Sequence, residues 1–133
     1  TFTAAGNGTG RWLNGVSWDP SDTSNQLTEV EDGIYTIKYQ AIPAGSYDFK
    51  IACDSSWNTQ IGGTFSEFGV ATSAVVADGV DIISFTITRE LADVEIKIDI
   101  SGYDFNAKSG EAYFTVTADV LRSDSYQVCC RNY

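Results

Sequence analysis

Apolar and polar residues alternate with a period of two in short segments separated by Gly, Pro, Asn and Asp, the pattern of half-buried β-strands. Thr1–Ala5 reads as an opening strand. After Gly33 a strand runs to about Gln40, with Tyr35, Ile37 and Tyr39 on one face and Ile34, Thr36 and Lys38 on the other. Pro43-Ala44-Gly45 predicts a turn, because proline pre-sets φ and glycine tolerates positive φ, and Ser46–Cys53 follows as a strand. The two strands are expected to form a hairpin. In the second, Tyr47, Phe49, Ile51 and Cys53 face the core while Asp48 and Lys50 point away.

Further on, Ile83, Phe85 and Ile87 alternate with Ser84, Thr86 and Thr88, and Val94, Ile96, Ile98 and Ile100 alternate with Glu95, Lys97 and Asp99. Arg89–Asp93 reads as the turn between them. Phe114, Val116, Ala118 and Val120 alternate with Thr115, Thr117 and Asp119 in a last strand, and a polar tail starts near Arg122. Ser66–Val76 has room for a short helical turn, but no window carries a sustained helical apolar stripe. Seven to eight strands at this spacing predict an all-β, antiparallel, immunoglobulin-like β-sandwich, with a small barrel as the alternative. The predicted boundaries are one module over 1–121 and a tail or linker over 122–133.

Two segments break the alternation. Gly6–Asn25 contains Trp12 and Trp18, and Asp54–Ser73 contains Trp57, Phe65 and Phe68. Long loops on a β-scaffold are where binding residues usually sit. By strand parity Lys50 leaves the sheet opposite Phe49 and Ile51, and Trp57 follows just past the strand end, among Asp54, Asn58 and Gln60. An indole takes the flat C–H face of a pyranose, while Lys50 donates, Asp54 accepts, and Asn58 and Gln60 do both. The set suits a sugar. The plainer reading has Trp57 closing the core and Lys50 as a solvated strand residue.

Composition narrows the chemistry. Eight Lys and Arg against eighteen Asp and Glu give a net charge of −10, which disfavours nucleic acid and anionic membrane surfaces as partners. Histidine is absent, which removes Ser-His-Asp and Cys-His catalysis and His-ligated metal sites. A glycosidase needs two carboxyl groups held about 5–9.5 Å apart. No pair stands out among Asp19, Asp22, Asp54, Asp78 and Asp81, which sit on polar turns where solvated aspartate is ordinary. Without a D-x-D-x-D-G arrangement no Ca²⁺ site is expected either, so the reading has no metal and no cofactor. Three Trp, seven Tyr and seven Phe make 13 % of the chain aromatic, and some of these are expected to do more than fill a core.

Apolar runs are short, and no spanning segment or membrane insertion is expected. The chain begins at Thr1, contains no Met and shows no basic-plus-apolar leader, which reads as a processed protein or a domain of a longer one. Its three cysteines leave two readings: Cys53 is a buried thiol beside two tail thiols, or it pairs with Cys129 or Cys130.

Across Arg11–Gly62 the chain carries Trp18-Asp19-Pro20, Asp32-Gly33-Ile34-Tyr35, Pro43-Ala44-Gly45-Ser46-Tyr47-Asp48-Phe49-Lys50, Ser56-Trp57 and Gly62. In these motifs it resembles the starch-binding β-sandwich modules of bacterial pullulanases and related amylolytic cell-surface proteins. The resemblance covers a little under half of the chain clearly, and extends loosely through Asp81–Ile100. It implies a non-catalytic module, secreted or at the cell surface, that holds starch or α-1,4-linked maltooligosaccharides beside other modules of the same chain or a surface assembly. Related glycogen-binding domains imply glucose contacts at Trp18, Lys50 and Trp57. Where those domains often supply an asparagine from a later loop, this chain has Asp78-Gly79-Val80-Asp81. Trp12 is an addition, either a second stacking platform or a cover for the end of the sandwich. The rival reading is an immunoglobulin-like adhesion or protein-docking domain whose Trp loops face a protein.

Overall fold

A computed structural model describes residues 1–120. The tail from Arg122, with Cys129 and Cys130, lies outside the described residues, as does either pairing of Cys53 with them.

Seven strands follow in chain order: β1 (Phe2–Gly6), β2 (Thr28–Glu31), β3 (Ile34–Cys53), β4 (Ser56–Gly62), β5 (Thr72–Ala77), β6 (Ile83–Asp104) and β7 (Ser109–Val120). All pairings are antiparallel. The fold is an all-β sandwich, as the alternation predicts. Its pairings run β3–β4–β5–β7–β6 and back to β3, with β1 and β2 added along β3. That closure covers most strand edges.

The two expected hairpins are a correction. The chain does not reverse at Pro43-Ala44-Gly45 or at Arg89–Asp93. β3 is a single strand of 20 residues and β6 one of 22, and they pair along their length from Ile34↔Asp99 to Phe49↔Ile83. The punctuation marks bulges, where the register shifts between Tyr39 and Ile42 and again between Pro43 and Gly45. Side-chain parity records both shifts: Tyr39 is buried, then Ile42, then Tyr47 and Phe49. In β6 the buried set likewise moves from Ile83, Phe85 and Ile87 to Ala92, Val94, Ile96 and Ile98. Strands that switch layers do so at such bends.

Distant side chains hold the β3 corner. Ala41 takes a positive φ of 53°, and its N–H donates to the Asp93 carboxylate at 2.9 Å. The Arg11 guanidinium donates to the Ala41 carbonyl at 2.8 and 3.1 Å and to the Gln40 carbonyl at 3.2 Å.

Other expectations also change. Ser66–Val76 forms no helical turn, and β5 begins inside it at Thr72. Phe65 and Phe68 pack on Phe85, with ring centroids 6.1 and 5.9 Å away. The Gly6–Asn25 segment is anchored on the core. Asn25 is buried and accepts from Tyr39 Oη at 2.8 Å and Asn14 Nδ2 at 3.0 Å, while its own amide donates to the Leu13 carbonyl at 3.0 Å.

Candidate functional site

The site starts from the β3–β4 connection. Asp54 and Ser55 both take positive φ (54° and 60°), the pattern of a two-residue hairpin turn matched to strand twist. Beyond the turn the register jumps: Cys53 pairs with Ser56, but Ala52 pairs with Gln60 and Ile51 with Ile61. Trp57, Asn58 and Thr59 therefore bulge out with no residue opposite them on β3. Trp57 is part of a strand, not the loop the sequence suggests.

Gln60 fixes the bulge. Its side chain is 6 % exposed, and its amide nitrogen donates to the Trp57 carbonyl and the Asp78 carbonyl, each at 2.9 Å. Its oxygen accepts from Lys50 Nζ at 2.8 Å. Lys50 leaves the outer face of β3 between buried Phe49 and Ile51, as parity predicts, and its ammonium lies 5.5 Å from the Trp57 ring centroid. That is within cation–π range, about 6 Å.

Trp18 reaches the same place from the N-terminal segment. Its backbone has φ +52°, unusual for a bulky residue, and its N–H donates to the Gly6 carbonyl at 2.9 Å. Gly6 itself lies close against β3, where a Cβ would stand 1.8 Å from the Asp48 carbonyl oxygen. Asp19 then closes the next turn by accepting from the Ser21 N–H at 2.9 Å and hydroxyl at 2.8 Å, bonds that lower its carboxyl pKa. The Trp18 ring is 38 % exposed, lies 6.4 Å from that of Trp57 and is inclined to it by 47°.

Of the two readings left open for Trp12, the structure shows the packed one and not the stacking platform. Trp12 is fully buried, with ring centroids 5.1 Å from Tyr39, 5.4 Å from Tyr47, 5.3 Å from Phe85 and 6.0 Å from Phe49. Its indole N–H donates to Asn7 Oδ1 at 3.2 Å. It offers no face to a ligand. The structure thus brings together Trp18, Trp57, Lys50 and Gln60. Asp54 and Asn58 are exposed, but they line a separate groove with Phe2 and Phe105. Lys50 instead borders a shallow depression of about 390 Å³ with Val75, Gly79, Val80 and Asp81. Gly79, Val80 and Asp81 belong to the stretch that stands where related domains supply an asparagine, whereas Val75 carries no polar or aromatic signal in the sequence.

Many carboxylates are occupied as turn acceptors: Asp22 for the Ser24 N–H, Asp99 for the Ser101 N–H and Asp104 for the Asn106 N–H, at 2.8 to 3.0 Å. Hydrogen bonds from Ser101 likewise lower the Asp99 pKa. Among the described residues no three acidic or cysteine side chains gather as a metal ion requires, and no helix is long and apolar enough to cross a membrane.

Residues 1–92 match the family model of the pullulanase X25 domain. No curated protein matches the chain. The family match takes in Trp18, Lys50, Trp57 and Gln60 and ends at Ala92, within β6.

Proposed function

The chain belongs to the pullulanase X25 domain family, and from that premise we infer that it is a non-catalytic module holding α-glucan, starch or α-1,4-linked maltooligosaccharide, outside the cell. The observation that carries this reading is the inclined Trp18–Trp57 pair with Lys50 beside it. Two pyranose rings stack their C–H faces on the two indoles. The 47° inclination suits a chain whose successive sugars turn relative to one another. Lys50 donates to a hydroxyl, and Gln60 acts from behind by holding Trp57 and Lys50 in place.

A stacked ring contributes about 1 kcal/mol beyond its buried area, by analogy with aromatic pairs. One module then binds in the micromolar to millimolar range, about −8 to −4 kcal/mol. Firm attachment comes from other modules of the same chain or assembly, through raised effective concentration.

Affinity electrophoresis in a gel containing amylopectin tests the reading. Retardation relative to a gel without polysaccharide is expected. Unchanged mobility contradicts it and favours a protein-docking role. Release of reducing sugar from soluble starch by the purified chain contradicts the non-catalytic assignment.

A further inference from the structure

A groove of about 760 Å³ lies between the β3–β4 turn, the β4 bulge and the β6–β7 turn. That volume is within the range of small-molecule sites, about 300–1,000 Å³. One wall is aromatic. The Phe105 ring is 4.9 Å from that of Tyr103 and 6.0 Å from that of Phe2, and Phe105 is 37 % exposed. Neither Tyr103 nor Phe105 belongs to the hydrophobic core, so core packing does not account for them. The remaining wall is mixed: beside Cys53, Val76 and Ala77, Asn58 donates and accepts, Lys108 donates, and Asp54 accepts, one of its oxygens already taking the Thr1 ammonium at 2.8 Å. Concave exposed rings rimmed by donors and acceptors have the composition of a ligand site.

We propose that this groove is a second carbohydrate subsite, taking pyranose residues of a neutral oligosaccharide against Phe105 and Tyr103. Asn58, Lys108 and Asp54 meet the hydroxyls. The net charge of −10 and the Asp54 carboxylate in the wall disfavour an anionic ligand. The identity of the sugar as α-glucan rests on the function inferred above.

Two links place the groove beside the tryptophan pair. Trp57 and Asn58 are consecutive in the bulge, one facing Lys50 and the other lining the groove. Asp78 lines the groove while its carbonyl accepts from Gln60. A long glucan that engages both subsites gains from effective concentration. Tyr103, Phe105 and Lys108 lie beyond the residues of the family match, 1–92.

The test is a titration of ¹⁵N-labelled wild type, Trp57→Ala, Phe105→Ala and Lys108→Ala with maltoheptaose, followed by NMR. The Asn58 side-chain amide and the backbone amides of residues 103–108 are expected to shift saturably in wild type and in Trp57→Ala. That response is lost in Phe105→Ala and weakened in Lys108→Ala, while the Trp57 indole response persists in both. Affinity for amylopectin falls by roughly tenfold or more in Phe105→Ala. Groove resonances that stay still while the Trp57 indole shifts overturn the subsite. If neither region responds, cellohexaose and xylohexaose are titrated. A groove response to either upholds the subsite and overturns the α-glucan reading, and silence to all three overturns the subsite. Phe105 and Lys108 are exposed, so their variants are expected to keep the wild-type fold, checked by the dispersion of the remaining spectrum.

Discussion

Lys50 Nζ donates to Gln60 Oε1 at 2.8 Å while it stands 5.5 Å from the centroid of the Trp57 ring. The other end of Gln60 holds the Trp57 carbonyl, so one amide sets the ring and the cation together. Gln60→Leu leaves the Trp57 and Asp78 carbonyls and the Lys50 ammonium without this partner. A loss of about 1–3 kcal/mol of stability is expected from urea melts, together with weaker maltoheptaose binding. Wild-type stability and affinity in Gln60→Leu contradict its role as a brace.

The tryptophans divide into core and surface. Trp12 is fully buried within a ring of aromatics, and Trp12→Ala is expected to cost about 3–5 kcal/mol, read from the denaturation midpoint. Trp18 is 38 % exposed, and Trp18→Ala costs less than about 1 kcal/mol of stability while reducing glucan affinity by roughly fivefold. Equal destabilisation by the two substitutions is the contrary result.

Burial pushes the Cys53 thiol up to about 12 from 9.0, helped by the neighbouring Asp54 carboxylate. Burial also raises the Tyr39 hydroxyl, with Asp22 adding to the effect. Both groups release their protons more readily when unfolded. Their stabilising contribution is therefore full below about pH 9 and is lost as pH rises through the folded values. With the thiol reduced, stability is expected to fall above pH 9 by up to about 1.4 kcal/mol per pH unit for each group. The fall is shallower in Cys53→Ala. A profile that stays flat to pH 11 in denaturant melts contradicts this.

Buried faces were legible in the sequence because period-two parity survives whatever the strand does at its ends. Tyr39, Tyr47, Phe49, Val94 and Ile96 are all interior. The path of the chain was less legible. Proline and glycine mark turns and bulges alike, and the choice at Pro43-Ala44-Gly45 depends on Arg11 and Asp93, which come from distant segments. Trp18, Trp57 and Lys50, at which the family resemblance implies glucose contacts, lie close together. Asp54 and Asn58 do not join them, because a three-residue bulge in β4 and the two-residue turn before it carry those side chains to the neighbouring groove. A register jump of that kind leaves no periodic trace in seven residues. Trp12 has polar and glycine neighbours on its N-terminal side, and only its contacts with four aromatics from β3 and β6 identify it as core.

The central claim is that Trp57 forms the floor of an α-glucan site. Isothermal titration calorimetry of maltoheptaose into wild type and Trp57→Ala tests it most directly. Saturable binding in the micromolar to millimolar range is expected for wild type. In Trp57→Ala the affinity falls by roughly fivefold or more, the equivalent of about 1 kcal/mol, with the unfolding midpoint close to that of wild type. Unaltered affinity in the variant, or no binding heat in the wild type, contradicts the claim.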